Sequence, residues 1–171
     1  MRRPRTANRF DPKYTKPEVK KPEMIIFWGG IAASGRRVHG FFDPKEMVNS
    51  DSYCTMLRRK AVKVLKEESL ILCHDQARPH ISKKTSAYLA SEGIPTLTTP
   101  GRSPDAMPIE NVFAIMKRRL EEVPTNTIEE VKTEVTKVWR GLSDAYLEEL
   151  CTSMRRRCTG IIKNNGYPTK Y

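Results

Sequence analysis

A chain of 171 residues has the length of one ordinary domain, enough to bury roughly two-thirds of its unfolded surface. A composition of 38% hydrophobic and 30% charged residues excludes a disordered chain, and no apolar run reaches the roughly 18 residues that a membrane span needs. The net charge of +11 is carried at the two ends: residues 1–21 hold eight Lys/Arg against two acids and residues 154–171 hold five against none, so the middle is neutral.

Basic arms on a neutral core can hold phosphate backbone through counterion release, an attraction that weakens as salt rises. Solvated tails without a partner are the plain alternative. The start, Met1-Arg2-Arg3-Pro4-Arg5, leads into polar residues and lacks the apolar stretch of a secretory signal. Four cysteines at 54, 73, 151 and 158 form no C-x-x-C pair, which fits reduced thiols. Cys54, Cys73 and Cys151 lie beside apolar residues and are expected to pack as small hydrophobes.

In chain order, residues 1–22 contain Pro4, Pro12, Pro17 and Pro22 among basic residues and predict an extended arm. Met24 to Gly29 is an apolar, β-forming run, Ala32 to Gly35 a turn, and Val38 to Phe42 the returning strand of a hairpin. Asn49 or Ser50 caps a helix whose buried stripe is Tyr53, Met56, Leu57, Ala61, Val64 and Leu65, with Arg58, Arg59, Lys60, Lys63 and Lys66 outside. Ser69 to Cys73 predicts a short buried strand ending at His74-Asp75. A helix over about 82–92 stops at Gly93, and residues 94–98 predict another strand. Residues 100–108 hold three prolines and form a loop, with Pro108 at the first position of a helix buried through Ile109, Val112, Phe113, Met116 and Leu120. Thr127 and Glu130 make a capping box for a helix carrying Ile128, Val131, Val135, Val138 and Trp139. A last helix runs from Asp144 to about Met154, ahead of a basic tail. Trp28 and Trp139 are expected in the core. Alternating strands and helices imply an α/β domain with helices on a mixed sheet.

Two acids stand where chemistry is carried. Asp75 follows a buried strand, at the edge where open sheets place ligands. Glu110 lies in the first turn of a helix after the proline-rich loop, with 34 residues between the two. Carboxylates from separate elements can share Mg²⁺, which keeps its remaining positions for water and phosphate oxygens. The bland readings are a helix cap for Asp75 and dipole complementation for Glu110. Spacing alone leaves both readings open. Zinc is not suggested, since His74 and His80 lack further ligands at zinc spacing. Ser103 and Asp105 read as loop and cap residues, with no histidine placed to complete a triad.

His74-Asp75-Gln76-Ala77-Arg78-Pro79-His80 resembles the segment around the second catalytic Asp of mariner-like DNA transposases. The stretch from Ser103 to Phe113, including Ser103-Pro104-Asp105 and Pro108-Ile109-Glu110-Asn111, resembles the segment around their third carboxylate. The 34-residue gap and a Glu in place of Asp are similar to the Tc branch, and Gly166 to Tyr171 is similar to that family's C-terminus. Arg9 to Tyr14 and Met24 to Gly35 resemble the strand region after the first carboxylate.

The resemblance implies a ribonuclease-H-like α/β fold, a mixed sheet flanked by helices with its N-terminal strand or strands missing here. The implied layout is a basic arm over 1–22, a partial catalytic domain over 23–153 and a basic tail over 154–171. Asp75 and Glu110 become catalytic, metal-binding carboxylates for two Mg²⁺ ions, with Mn²⁺ able to substitute. Hydrolysis at transposon ends, then attack of the freed 3′-hydroxyl on target DNA, is the implied reaction. Around the carboxylates, His80 and Asn111 are implied as supports. His74 either orients Asp75 or simply packs. Arg78 either contacts DNA phosphate or pairs with a carboxylate, and Arg155, Arg156 and Arg157 are implied DNA contacts. Implied partners are transposon-end and target DNA, with a second copy or a full-length transposase, and neither a membrane nor a small-molecule substrate. The implied location is the nucleus.

Departures from the pattern matter too. The family's first Asp falls upstream of position 1, and Asp11, Asp43 and Asp51 match other places in the pattern. The paired helix-turn-helix region has no counterpart. Gln76 stands where Asn is usual, and Ala106-Met107 where Leu-Asn is common. These departures leave three expectations: a catalytic fragment, an inactive derivative that still binds DNA or pairs with a transposase, or an unrelated basic nucleic-acid-binding module. On any of them the chain alone is expected to be inactive.

Overall fold

The structure, a computed structural model, describes residues 25–45, 47–101, 103–125, 127–167 and 169. The arm over 1–22 and Asp11 lie outside the described residues. The hairpin forms as expected, from β1 (Ile26–Ile31) and β2 (Arg37–Phe42), antiparallel with Phe27 opposite Phe41 and Gly29 opposite His39. Gly35, at φ +81°, makes the connecting turn.

Both faces of this hairpin are covered, each by a different helical layer. Side chains alternate along a strand, so Trp28, Val38 and Phe42 join one core while Phe27, Ile31 and Phe41 join the other. The first core includes Tyr53, Met56, Leu57 and Leu65, from α1 (Ser50–Lys60) and α2 (Val62–Glu67), and Leu89 from α3 (Lys83–Ser91). The second is built by α4 (Ile109–Glu122), α5 (Ile128–Arg140) and α6 (Asp144–Thr152) around a fully buried Trp139. Two glycines let the layers close. A Cβ at Gly29 would lie 2.6 Å from Cη2 of Trp139, and one at Gly40 would lie 2.5 Å from Sδ of Met56. Trp28, expected in the core, is only half-buried against the first cluster.

The helix expected to run through residue 65 is broken at Ala61, whose N–H still bonds to Leu57 O. Its N-terminus is the capping box of Asn49 with Ser52, and α5 has the expected box of Thr127 with Glu130. Ser82 caps α3, and Gly93 follows at φ +69°.

The strands expected over 69–73 and 94–98 shrink to β3 (Leu72–Cys73) and β4 (Thr96–Leu97), paired in parallel. Among the described residues this pair and the hairpin are two separate two-stranded sheets rather than one mixed sheet. Leu70 and Leu72 face the first core, whereas Ile71, Cys73 and Leu97 are exposed. Cys73 therefore does not pack as a small hydrophobe, while Cys54 and Cys151 are partly buried.

The largest correction is at the C-terminus. Residues 154–163 are not a tail but a helix, α7 (Met154–Lys163). The first turn of this helix carries three arginines, which disguise it as a charged arm, and Arg157 is only 2% exposed. Among the described residues, no helix is long and apolar enough to cross a membrane.

Candidate functional site

Asp75 lies just past the end of β3, on a loop pinned from several sides. The hydroxyl of Thr99 donates to His74 O at 3.1 Å, and Gln76 Nε2 donates to Thr99 O at 2.7 Å. Asp75 Oδ1 accepts the backbone N–H of Ala77 at 3.0 Å, closing a short side-chain turn. The same oxygen meets His80 Nδ1 at 2.5 Å. The other carboxylate oxygen makes no hydrogen bond among the described residues, and the side chain is 61% exposed.

The two histidines divide their work. His80 is the one that touches Asp75, and its ring lies against Tyr53 with centroids 4.0 Å apart. His74 stacks on His80 with an interplanar angle of 11° and bonds through Nδ1 to the Tyr53 hydroxyl at 3.0 Å. Burial pushes the Tyr53 phenol far above its usual range, so the phenol stays protonated beside His74. Burial, with a second imidazole beside it, lowers His74 and keeps that ring neutral. His80 is thus the ring that is hydrogen-bonded to Asp75, and His74 packs against His80.

Glu110 is exposed in the first turn of α4, its backbone N–H bonded to Met107 O at 3.0 Å. Its carboxylate has no hydrogen bond or ion pair among the described residues. The segment before it forms a 3₁₀ turn, η1 (Pro104–Ala106), within the loop expected over 100–108. Pro108 stands at the helix N-cap rather than the first helical position, and α4 has no side-chain cap. This segment touches the Asp75 strand: Cys73 Sγ lies 4.0 Å from Met107 Sδ. Two exposed carboxylates, each with an open oxygen, therefore lie on adjoining segments. Hard oxygens of this kind suit Mg²⁺ or Mn²⁺ in chemistry. They are an incomplete set, because no group of three or more His, Cys, Asp or Glu side chains able to hold a metal occurs among the described residues.

Of the other expected residues, Arg78 is exposed and makes no ion pair among the described residues, so the structure does not pair it with a carboxylate. Arg155 and Arg156 are exposed on α7. Arg157 is a correction: it is buried and bonds to Asn111 Oδ1, Asp105 O and Ser153 Oγ, so it cannot face DNA. Asn111 touches Arg157 rather than a carboxylate. Asp105, read as a loop residue, accepts both the backbone N–H and the hydroxyl of Thr169, at 3.1 and 3.0 Å. Sequence reasoning missed this link, since charge alone does not tell a buried arginine from its exposed neighbours.

A family described as DDE superfamily endonuclease matches residues 11–132. The Tc1 transposable-element transposase of Caenorhabditis elegans is 27% identical over all of this chain, which spans 63% of that protein. The Mos1 transposase catalytic domain, solved with raltegravir and Mn, superposes with a TM-score of 0.69 at 18% identity, covering 86% of this chain and 85% of that one. The Mos1 strand transfer complex gives 0.79 at 19% identity, over 99% of this chain and 51% of its counterpart. The likeness to these structures shows a common mixed α/β, ribonuclease-H-like fold.

Proposed function

This chain belongs to the DDE superfamily endonuclease family, and we propose that it supplies the second and third metal-binding carboxylates, Asp75 and Glu110, of a Tc-like transposase that cuts and joins DNA. The observation that carries the reading is the meeting of the β3 end with the loop before α4, which sets two exposed carboxylates, each with an open oxygen, on adjoining segments. His80 holds Oδ1 of Asp75 and so fixes the direction of its other oxygen. Divalent ions bound there would polarise the scissile phosphate and the attacking water or hydroxyl, and offset charge at phosphorus. The substrates on this reading are transposon-end and target DNA in the nucleus, handled with a second copy of the protein. Mn²⁺ titration of the chain, followed by water-proton relaxation, tests the site. Asp75→Asn and Glu110→Gln should each weaken binding, and unchanged binding in both variants would sink the assignment.

DNA contact is proposed for Arg78 and for the exposed face of α7. With ~6 phosphates neutralised, log K against log salt for a random duplex should slope near −5. Replacing Arg155 and Arg156 with Gln should weaken all duplexes alike and flatten the slope by about 2 units, one per lost contact. Arg157 is left out of the pair because its side chain is buried. Fluorescence anisotropy at several salt concentrations measures both quantities, and a slope unchanged in the double variant would remove α7 from the interface.

A further inference from the structure

We propose that Arg157 is a positioning residue for Glu110: the C-terminal helix grips the start of α4 and thereby sets where the Glu110 carboxylate points. The inference rests on the assignment of Glu110 as a metal-binding group. Arg157 closes the first turn of α7 and is 2% exposed. Its Nε donates to Ser153 Oγ at 2.7 Å, Nη1 to Asp105 O at 3.1 Å and Nη2 to Asn111 Oδ1 at 2.7 Å. Two of these three acceptors bracket Glu110, one before the helix begins and the other on the next residue.

That placement matters because α4 starts without a side-chain cap. Uncapped first turns fray, leaving their N–H groups to water. The guanidinium is a rigid planar fork of donors, so bonding both ends of the 105–111 segment fixes that segment as a unit. Thr169 grips it from another side, through its two bonds to the Asp105 carboxylate. An arginine serving only the core needs acceptors anywhere; this one takes them around the metal-side turn. Lysine cannot replace the fork, since a point-like ammonium does not span both acceptors.

The test uses the full 171-residue chain, with Mn²⁺ affinity from water-proton relaxation and hydrogen exchange read segment by segment. Arg157→Gln should weaken Mn²⁺ about tenfold, the usual cost of losing a group that orients a ligand. It should also speed exchange over 103–113 while α1 and α5 keep their protection. Should that variant fail to fold, Asp105→Ala and Thr169→Val loosen the same segment without emptying the guanidinium site. Each should lower Mn²⁺ affinity by less, in the same direction. Glu110→Gln is the control for the underlying assignment. If it weakens Mn²⁺ while folded Arg157→Gln, or both substitutes, bind as the parent chain does, the positioning role is overturned and the site stands. If Glu110→Gln itself binds unchanged, the site assignment falls and takes the inference with it.

Discussion

Trp139→Ala is expected to destabilise the protein by about 3–5 kcal/mol, the usual cost of emptying a buried aromatic site. A domain of this size has roughly 5–15 kcal/mol in total, so the variant should be marginally folded. The indole is fully buried, with its ring 5.2 Å from Phe27 and 6.1 Å from His39 between centroids. Collapse around the void is blocked because β1 and β2 are held on their other face by α1. The absence of a side chain at Gly29 makes room for the indole. Gly29→Ala should therefore be costly in the parent chain and much milder when Trp139 is already alanine. Urea denaturation of the four proteins measures that coupling, and additive losses would show that the ring and the glycine are independent.

The same pair of layers explains what the sequence allowed one to see. Helices were legible where an apolar stripe coincided with a cap: Asn49 and Thr127 open α1 and α5 where their side chains predict, and Val112 and Met116 lie on the buried stripe expected of α4. The hairpin was legible from two β-forming runs about a glycine turn, although its burial on both faces was not. Strands over 69–73 and 94–98 were over-read, because apolar runs report burial rather than pairing, and only two residues of each find a partner.

At the site, spacing left Asp75 and Glu110 undistinguished from caps. Resemblance to Tc-like transposases singled them out, and the family match over 11–132 bears the recognition out. Charge misled at Arg157. A run of three arginines suggests a solvated arm, yet a helix turns one residue of such a run inward, and Ser153 and Asn111 wait there as acceptors. Ser153 lies only four residues before Arg157, but Asn111 is 46 positions away, a partner that sequence separation does not reveal. Which of the two readings left open for His74 applies was hidden for the same reason: it depends on Tyr53, which arrives from α1.

No strand cleavage is expected from the 171 residues assayed alone on a transposon-end duplex, with either Mg²⁺ or Mn²⁺. Two carboxylates are present in the proposed centre, and no third ligand joins them among the described residues, whereas the resemblance implies a site of three. Two metals clamping the attacking and leaving oxygens are worth several kcal/mol of barrier, and ~4 kcal/mol is already about a thousandfold in rate. Supplying a third carboxylate, by joining in frame the segment of a Tc-like transposase that carries its first catalytic Asp, should bring nicking above background. In the extended protein Asp75→Ala and Glu110→Ala should each reduce the rate by about a thousandfold or more, whereas Asp43→Ala, outside the proposed centre, should leave it unchanged. The readout is the appearance of nicked strand on a denaturing gel. Cleavage by the 171 residues alone that vanishes in Asp75→Ala would mean that two carboxylates suffice. Cleavage by the extended protein that survives both substitutions would place the chemistry elsewhere on the domain.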